Sequence, residues 1–354
     1  MFIQPGRPAL VLAPMDGVTD FLMRRVLSQL MPFSYCVTEF LRVSGLVPPP
    51  HVFRRSMPEL DSSAKTAVGT PVQLQLLGGD PEKLALSAQR AVECGASAID
   101  LNFGCPAPTV NRHDGGATLL QYPDRIEGIV RAVRGSVPPH IPVSAKLRLG
   151  WDDPAAIEEN AERVALGGAS WITIHGRTRF QGYTPPAYWQ PIGRVRRSLN
   201  IPVVANGEIW SLDDLKRCQD ETGSSHFMIG RGALADLTLV AKCAQHLGIS
   251  RSADCSTGEP EWLAVLEHIC RSSRDARESD RRTVSRLKQW LNYAHKRRTI
   301  AWFDRVKQAQ SSKDLMSAVR TVAGNQNHPT SLVGSSSALT ARSTPFLTQN
   351  QLPT

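Results

Sequence analysis

Val203-Val204-Ala205-Asn206-Gly207-Glu208 and its sequel His226-Phe227-Met228-Ile229-Gly230-Arg231-Gly232 decide the fold. Each is a short apolar or β-branched run that stops at glycine and polar side chains, with a helical pattern between them, as in a strand–crossover–strand unit. Working back toward the N-terminus, the same unit recurs at Ala9 to Ala13, Tyr35 to Thr38, Val72 to Leu76, Ala98 to Leu101, Val143 to Leu147 and Trp171 to His175. Between most runs lie helix starts such as Asp80-Pro81-Glu82, Tyr122-Pro123-Asp124 and Asp153-Pro154, where proline suits the first turn and acids favour the helix dipole. Eight units in about 250 residues match a (β/α)8 TIM barrel, against the competing α/β architecture of a doubly wound open sheet.

The chain changes character after Gly248. A Ser/Asp/Gly/Pro-rich linker at 251–260 leads into helical patterns without strand signals, so a smaller all-helical C-terminal domain is expected over 261–322, following a barrel domain over 1–250. Trp262, Val265, Leu266 and Ile269 mark one helix; Val284, Leu287, Leu291 and Ala294 mark the apolar stripe of another. From 323 to 354 large apolar side chains are sparse, and a disordered tail is expected.

No apolar run approaches the length of a bilayer span, and the N-terminus makes a poor signal peptide, so a cytoplasmic protein without a membrane partner is expected. The seven cysteines are scattered and form no Cys-x-x-Cys pair, which argues against a disulfide framework and against a metal site. A monomer is expected. The formal net charge is +9, and residues 271–298 alone hold ten Lys/Arg against three acids, placing +7 of it in the helical domain. Charge so concentrated suits a polyanionic partner.

In a TIM barrel the site forms at the C-terminal ends of the strands, and here those ends are polar throughout. They carry Pro14-Met15-Asp16, Thr38-Glu39, Gln75, Asn102 with Cys105, Lys146 with Arg148, His175, Asn206-Gly207-Glu208, and Gly230-Arg231-Gly232. Glycines after the last two strands, with Arg231, suit a phosphate. Lys146 can stabilise negative charge on a ring such as a reduced flavin. Cys105 lies on a tight loop between Gly104 and Pro106, and its thiol, with an ordinary pKa of about 8.5, can act as a general acid at neutral pH.

The elements Ala13-Pro14-Met15, Gln73-Leu74-Gln75-Leu76, Asp100-Leu101-Asn102-Phe103-Gly104-Cys105-Pro106, Gly115-Gly116-Ala117, Lys146-Leu147-Arg148-Leu149-Gly150, Ile174-His175-Gly176-Arg177-Thr178, Asn206-Gly207-Glu208-Ile209 and Met228-Ile229-Gly230-Arg231-Gly232 resemble the tRNA-dihydrouridine synthase family over about residues 9–300. Thr38-Glu39-Phe40-Leu41-Arg42-Val43 and Arg286-Leu287-Lys288-Gln289-Trp290-Leu291-x-Tyr293 resemble its bacterial type C branch, which reduces uridine 16. The resemblance implies FMN as cofactor, NADPH as reductant and tRNA as partner, with hydride passing from FMN to C6 of uracil and a proton from Cys105 to C5. It assigns Pro14, Met15, Asp16, Gln75, Lys146, His175, Asn206, Gly207, Glu208, Gly230 and Arg231 to FMN. It assigns Arg42, Asn102, Arg148, Arg286, Lys288 and Tyr293 to tRNA. Helical spacing sets Arg286, Gln289, Tyr293 and Arg297 on one face, opposite the apolar stripe. Asp16 departs from the family's more common Glu. Two rival functions remain: an FMN barrel acting on a free pyrimidine, similar to dihydroorotate dehydrogenase, and a basic RNA-binding barrel without chemistry.

Overall fold

Every one of the eight runs forms a strand in the computed structural model, which describes residues 2–4, 6–249, 262–297, 300 and 302–326. They are β1 (Ala9–Leu12), β2 (Tyr35–Val37), β3 (Val72–Leu77), β4 (Ile99–Phe103), β5 (Val143–Arg148), β6 (Trp171–His175), β7 (Val203–Asn206) and β8 (His226–Ile229). All pair in parallel, and β1 bonds both β2 and β8 while β2 bonds β3, so the sheet closes on itself. Closure excludes the open doubly wound sheet. A two-residue strand, Leu41–Arg42, extends the pairing at the end of β3.

Each strand is followed by a helix that covers it: α1 (Phe21–Leu30), α2 (Pro50–Ser56), α3 (Pro81–Glu93), α4 (Pro123–Ser136), α5 (Ile157–Leu166), α6 (Gln190–Ser198), α7 (Leu212–Thr222) and α8 (Leu239–His246). Asp80 caps α3 by accepting from the Lys83 amide, with Pro81 in the first turn. The period of two along each strand sorts its side chains. Leu74, Leu76, Ile99, Leu101, Val143, Ala145, Ile172 and Ile174 pack outward in the main core with the helices.

The inward positions divide the barrel interior into two walls. Val11, Tyr35, Val37, Trp171, Val204 and Met228 form a separate apolar cluster, against which Phe2 and Ile3 pack. On β3, β4 and β5 the alternate positions are Gln73, Gln75, Asp100, Asn102, Ser144, Lys146 and Arg148. One wall is therefore greasy and the other carries polar groups that must be satisfied internally.

Among the described residues the longer helices that follow the barrel are α9 (Trp262–Asp275), α10 (Asp280–Arg297) and α11 (Ser312–Gln326), with a one-turn helix, Phe303–Val306, between the last two. The stripe residues Val284, Leu287, Leu291 and Ala294 are all buried. The indole of Trp290 donates to the carbonyl of Leu234 at 2.7 Å, docking α10 onto the one-turn helix Arg231–Ala235 that follows β8. The expected linker at 251–260 and most of the expected tail lie outside the described residues. The helix α11 runs on to Gln326, past the expected start of that tail at 323.

Under α1, Arg24 and Glu59 form a bidentate pair, both bonds 2.8 Å, with each side chain about 1% exposed. Removing one charge leaves the other buried and unpaired. Arg24→Ala is expected to lower stability by about 3–5 kcal/mol, read as a drop in the urea midpoint with an unchanged slope.

Candidate active site

The polar wall of the barrel rises into a cavity of about 410 Å³ at the C-terminal ends of the strands, within the range of small-molecule sites. Its foundation is Asp100, which is 2% exposed. Ser144 Oγ donates to one carboxylate oxygen and Gln75 Nε2 to the other at 2.7 Å. Because Gln73 Nε2 donates to Ser144 Oγ at 2.9 Å, the serine has its proton free only for Asp100. The orientation then propagates. Gln75 turns its Oε1 to accept from Asn102 Nδ2 at 2.8 Å, and Asn102 Oδ1 accepts from the amides of Gly104 and Cys105, both at 2.9 Å. Burial pushes the Asp100 carboxyl up, against Gln75, Ser144 and Lys146, which pull it down. With both oxygens facing donors, the ionised form is the one this network accommodates.

The loop so fixed presents Cys105 to the cavity. Among the described residues it is the one cysteine that is not buried. Gly116 presses on it: with φ +62°, a Cβ there would meet the Cys105 carbonyl oxygen at 2.9 Å and the Cys105 Cβ at 3.1 Å. Burial raises the thiol's pKa, with Asp16 adding to the effect, against the Ala107 amide, Arg148 and Lys146. The group is thus held as a proton donor rather than a thiolate.

Lys146 lines the same cavity, and no hydrogen bond or ion pair engages its ammonium among the described residues. Burial, followed by repulsion from Arg148, pushes its pKa down to about 8. Across from it, Arg177 Nη1 lies 3.2 Å from His175 Nε2. A guanidinium can only donate, so Nε2 accepts and Nδ1 carries the proton. Burial, then Arg148, Lys146, Arg177 and Arg231, lower the histidine's pKa well below its ordinary value, so the ring is neutral.

The phosphate-type end is built by β7 and β8. Asn206 Nδ2 donates to the Met228 carbonyl at 2.8 Å. Gly207 has φ +115°, and a Cβ there would come within 2.7 Å of the His175 ring. Glycine is required at that position by both conformation and space. Pro14, Met15, Asp16, Gln75, Gly230 and Arg231 also line the cavity, as do Asn102, Arg148 and Tyr293.

Several assignments change in kind. Arg286 does not share an open face with Gln289, Tyr293 and Arg297. It is 8% exposed and grips both oxygens of Asp20 at 2.7 and 2.8 Å, and Glu278 at 2.7 Å. Helical spacing places a residue on a face but cannot reveal what that face meets. Arg286 therefore ties α10 to the N-cap of α1 instead of standing free for a phosphate. The Glu208 side chain pairs with buried Arg177 at 2.7 Å and accepts from the Ala187 amide at 2.6 Å, so both of its oxygens already have a partner within the protein. Arg42 and Lys288 are half-buried and lie outside the cavity lining.

The sequence reading missed Tyr183 and Trp210, which join the site through cations. Arg148 and Arg231 lie 5.2 and 5.0 Å from the Tyr183 ring, and Arg231 and Arg297 lie 5.2 and 4.9 Å from the Trp210 ring. This alternating ladder runs from β5 to α10. Lone aromatics in long connections carry no periodic signal, so only spatial proximity to the arginines identifies them.

The dihydrouridine synthase family model matches residues 11–327. The chain belongs to the dihydrouridine synthase family. Membership makes it a flavin-dependent oxidoreductase and sets aside both the free-pyrimidine enzyme and the barrel without chemistry. Among its relatives, a tRNA-dihydrouridine(16) synthase of Shewanella oneidensis is 45% identical over 286 residues, 81% of this chain and 88% of that protein. One of Pseudomonas putida is 43% identical over 286 residues, 80% and 86%. The histamine dehydrogenase of Rhizobium sp. 4-9 aligns with a TM-score of 0.52 at 14% identity, covering 68% of this chain and 46% of that one, and shares the fold. No described helix is long and apolar enough to cross a membrane.

A neutral, raised thiol reacts slowly with electrophiles. Iodoacetamide labelling of Cys105, followed by peptide mapping, is expected to titrate above the about 8.5 of a free thiol, whereas a midpoint below that value contradicts a proton-donor role.

Proposed function

We propose that the protein reduces the C5=C6 bond of a uridine in tRNA, at position 16 of the D-loop, using FMN as cofactor and NADPH as reductant. The observation that carries this reading is the placement of Cys105, its loop locked by Asn102, at a cavity that Lys146 also lines with no partner for its ammonium among the described residues. Relatives matched over most of their length bear the name of that reaction at that position.

The residues present fit FMN. Lys146 has no partner of its own, Gly207 leaves the space that a side chain would fill, and Arg231 stands beside Gly230 at the phosphate-type end. When bound, the flavin takes hydride from NADPH and supplies it to C6 of uracil. Lys146 places positive charge against an electron-rich ring, and neutral His175 offers Nδ1–H as a hydrogen-bond donor. Pro14, Met15, Asp16, Gln75, Asn206, Gly207, the Glu208 backbone, Gly230 and Arg231 complete the cofactor site.

The uridine must leave its place in the tRNA fold to reach the cavity, at a cost of a few kcal/mol. Asn102 spends one Nδ2 proton on Gln75 and keeps the other for a pyrimidine carbonyl. Arg148 and the Tyr183 ring, 5.2 Å apart, both line the cavity, which supports a role for the pair in receiving the base. Cys105 then gives its proton to C5, completing the reduction. The remaining cations of residues 271–298, together with Arg42, Lys288 and Tyr293, hold the tRNA body through phosphate and stacking contacts. We propose with it a cytoplasmic location and a monomeric state.

Cys105→Ala is expected to retain FMN and tRNA affinity and to lose about 10²–10⁴ in turnover, measured as dihydrouridine formed in single-turnover reactions. Unchanged turnover removes Cys105 from the reaction. A charged Lys146 favours an anionic ligand, so FMN affinity should fall as pH rises through about 8. A flat titration across that range contradicts its role.

A further inference from the structure

Phe180 is 80% exposed, the most exposed aromatic ring among the described residues. A single exposed phenylalanine at the tip of a loose loop means little. This loop is not loose. The amides of Arg179 and Phe180 donate to the carbonyls of Gly150 and Trp151, both at 2.8 Å. Thr178 N donates to Gln181 Oε1 at 2.9 Å, and Gln181 N donates back to Thr178 Oγ1 at 3.2 Å. Arg148 Nη1 then closes the ends, donating to the carbonyls of Thr178 at 3.0 Å and Gly182 at 2.7 Å. An ordered scaffold thus holds an apolar ring in water.

Beside it stands Arg179. Its guanidinium lies 4.3 Å from the centre of the Trp151 ring, it pairs with no carboxylate among the described residues, and its buried Nε has no hydrogen-bond partner. Stacking fixes the plane of the cation and leaves its edge for an acceptor. Three residues on, Tyr183 lines the cavity, so the Cα atoms of residues 180 and 183 are at most about 11 Å apart. A nucleotide next to a uridine held in that cavity is within reach of this rim.

We propose that the loop 178–182 grips the RNA chain next to the target uridine, with Phe180 stacking a flanking base and Arg179 taking a phosphate of the same stretch. This rests on the tRNA reading above and adds a binding surface to it. An aromatic ring accepts any base on its face, while a pre-positioned guanidinium matches a phosphate. The Phe180 ring faces solvent, and beyond its stacking on Trp151 the Arg179 cation pairs with no carboxylate among the described residues.

The test uses the full-length FMN-loaded protein and unmodified tRNA transcript. Phe180→Ala should raise KM for tRNA by about five- to a hundredfold, while flavin content and NADPH-driven bleaching stay at wild-type level. Phe180→Trp should restore KM and Phe180→Leu should not, since leucine supplies apolar area without a stacking face. Arg179→Gln should weaken binding and reduce the slope of log affinity against log salt by about one contact. An unchanged KM in Phe180→Ala, or full rescue by leucine, overturns the stacking role, and an unchanged salt slope overturns the phosphate contact. Wild-type protein that binds no tRNA would instead overturn the function on which the proposal rests.

Discussion

A buried carboxylate can only accept hydrogen bonds, and Asp100 imposes that constraint on the site. From it the direction of every amide follows outward: Gln75 must donate inward and accept outward, Asn102 must donate to Gln75 and accept from the Cys105 loop. No other arrangement of two carboxamides satisfies both ends. The thiol is thereby positioned by the barrel wall instead of by its own loop. The nearby ammonium of Lys146 supplies compensating charge, so that one polar wall serves both as structural foundation and as reactive surface. The opposite wall, against which Phe2 and Ile3 pack, is mainly apolar, and its buried polar atoms, the Tyr35 hydroxyl and the Trp171 indole N–H, have no hydrogen-bond partner.

The site is completed from outside the barrel. Arg286 ties α10 to the N-cap of α1, and Trp290 ties it to the helix after β8. These two anchors set Tyr293 at the cavity and Arg297 against Trp210. The ladder of arginines and aromatic rings continues that contact inward to Arg148. The helical region is thus registered on the rim by buried polar contacts, which explains why a residue read as an RNA contact turns out to be the fastener. Burying an arginine between two carboxylates is a specific device, since the pair is stabilising only in one geometry.

The barrel was legible because period-two runs and their polar ends repeat eight times, and repetition survives errors at any single boundary. Three strands, beginning at Trp171, Val203 and His226, have the bounds expected, and the others differ by one or two residues at their ends. Cys105, Lys146 and His175 were legible because position at a strand end already implies the barrel mouth. Tyr183, Trp210 and Arg179 were not, because their neighbours come from other connections and no sequence period brings them together. The partners of Arg286 and of the Glu208 carboxylate were hidden in the same way. A charged side chain advertises a ligand until its partner, distant in sequence, is seen beside it.

The most direct measurement is the visible spectrum of the FMN-loaded protein under anaerobic conditions, first with NADPH and then with unmodified tRNA. The account predicts flavin bands that bleach with NADPH and return when tRNA is added, leaving dihydrouridine at position 16. Bands that stay bleached with tRNA, or return only with a free pyrimidine, would contradict it.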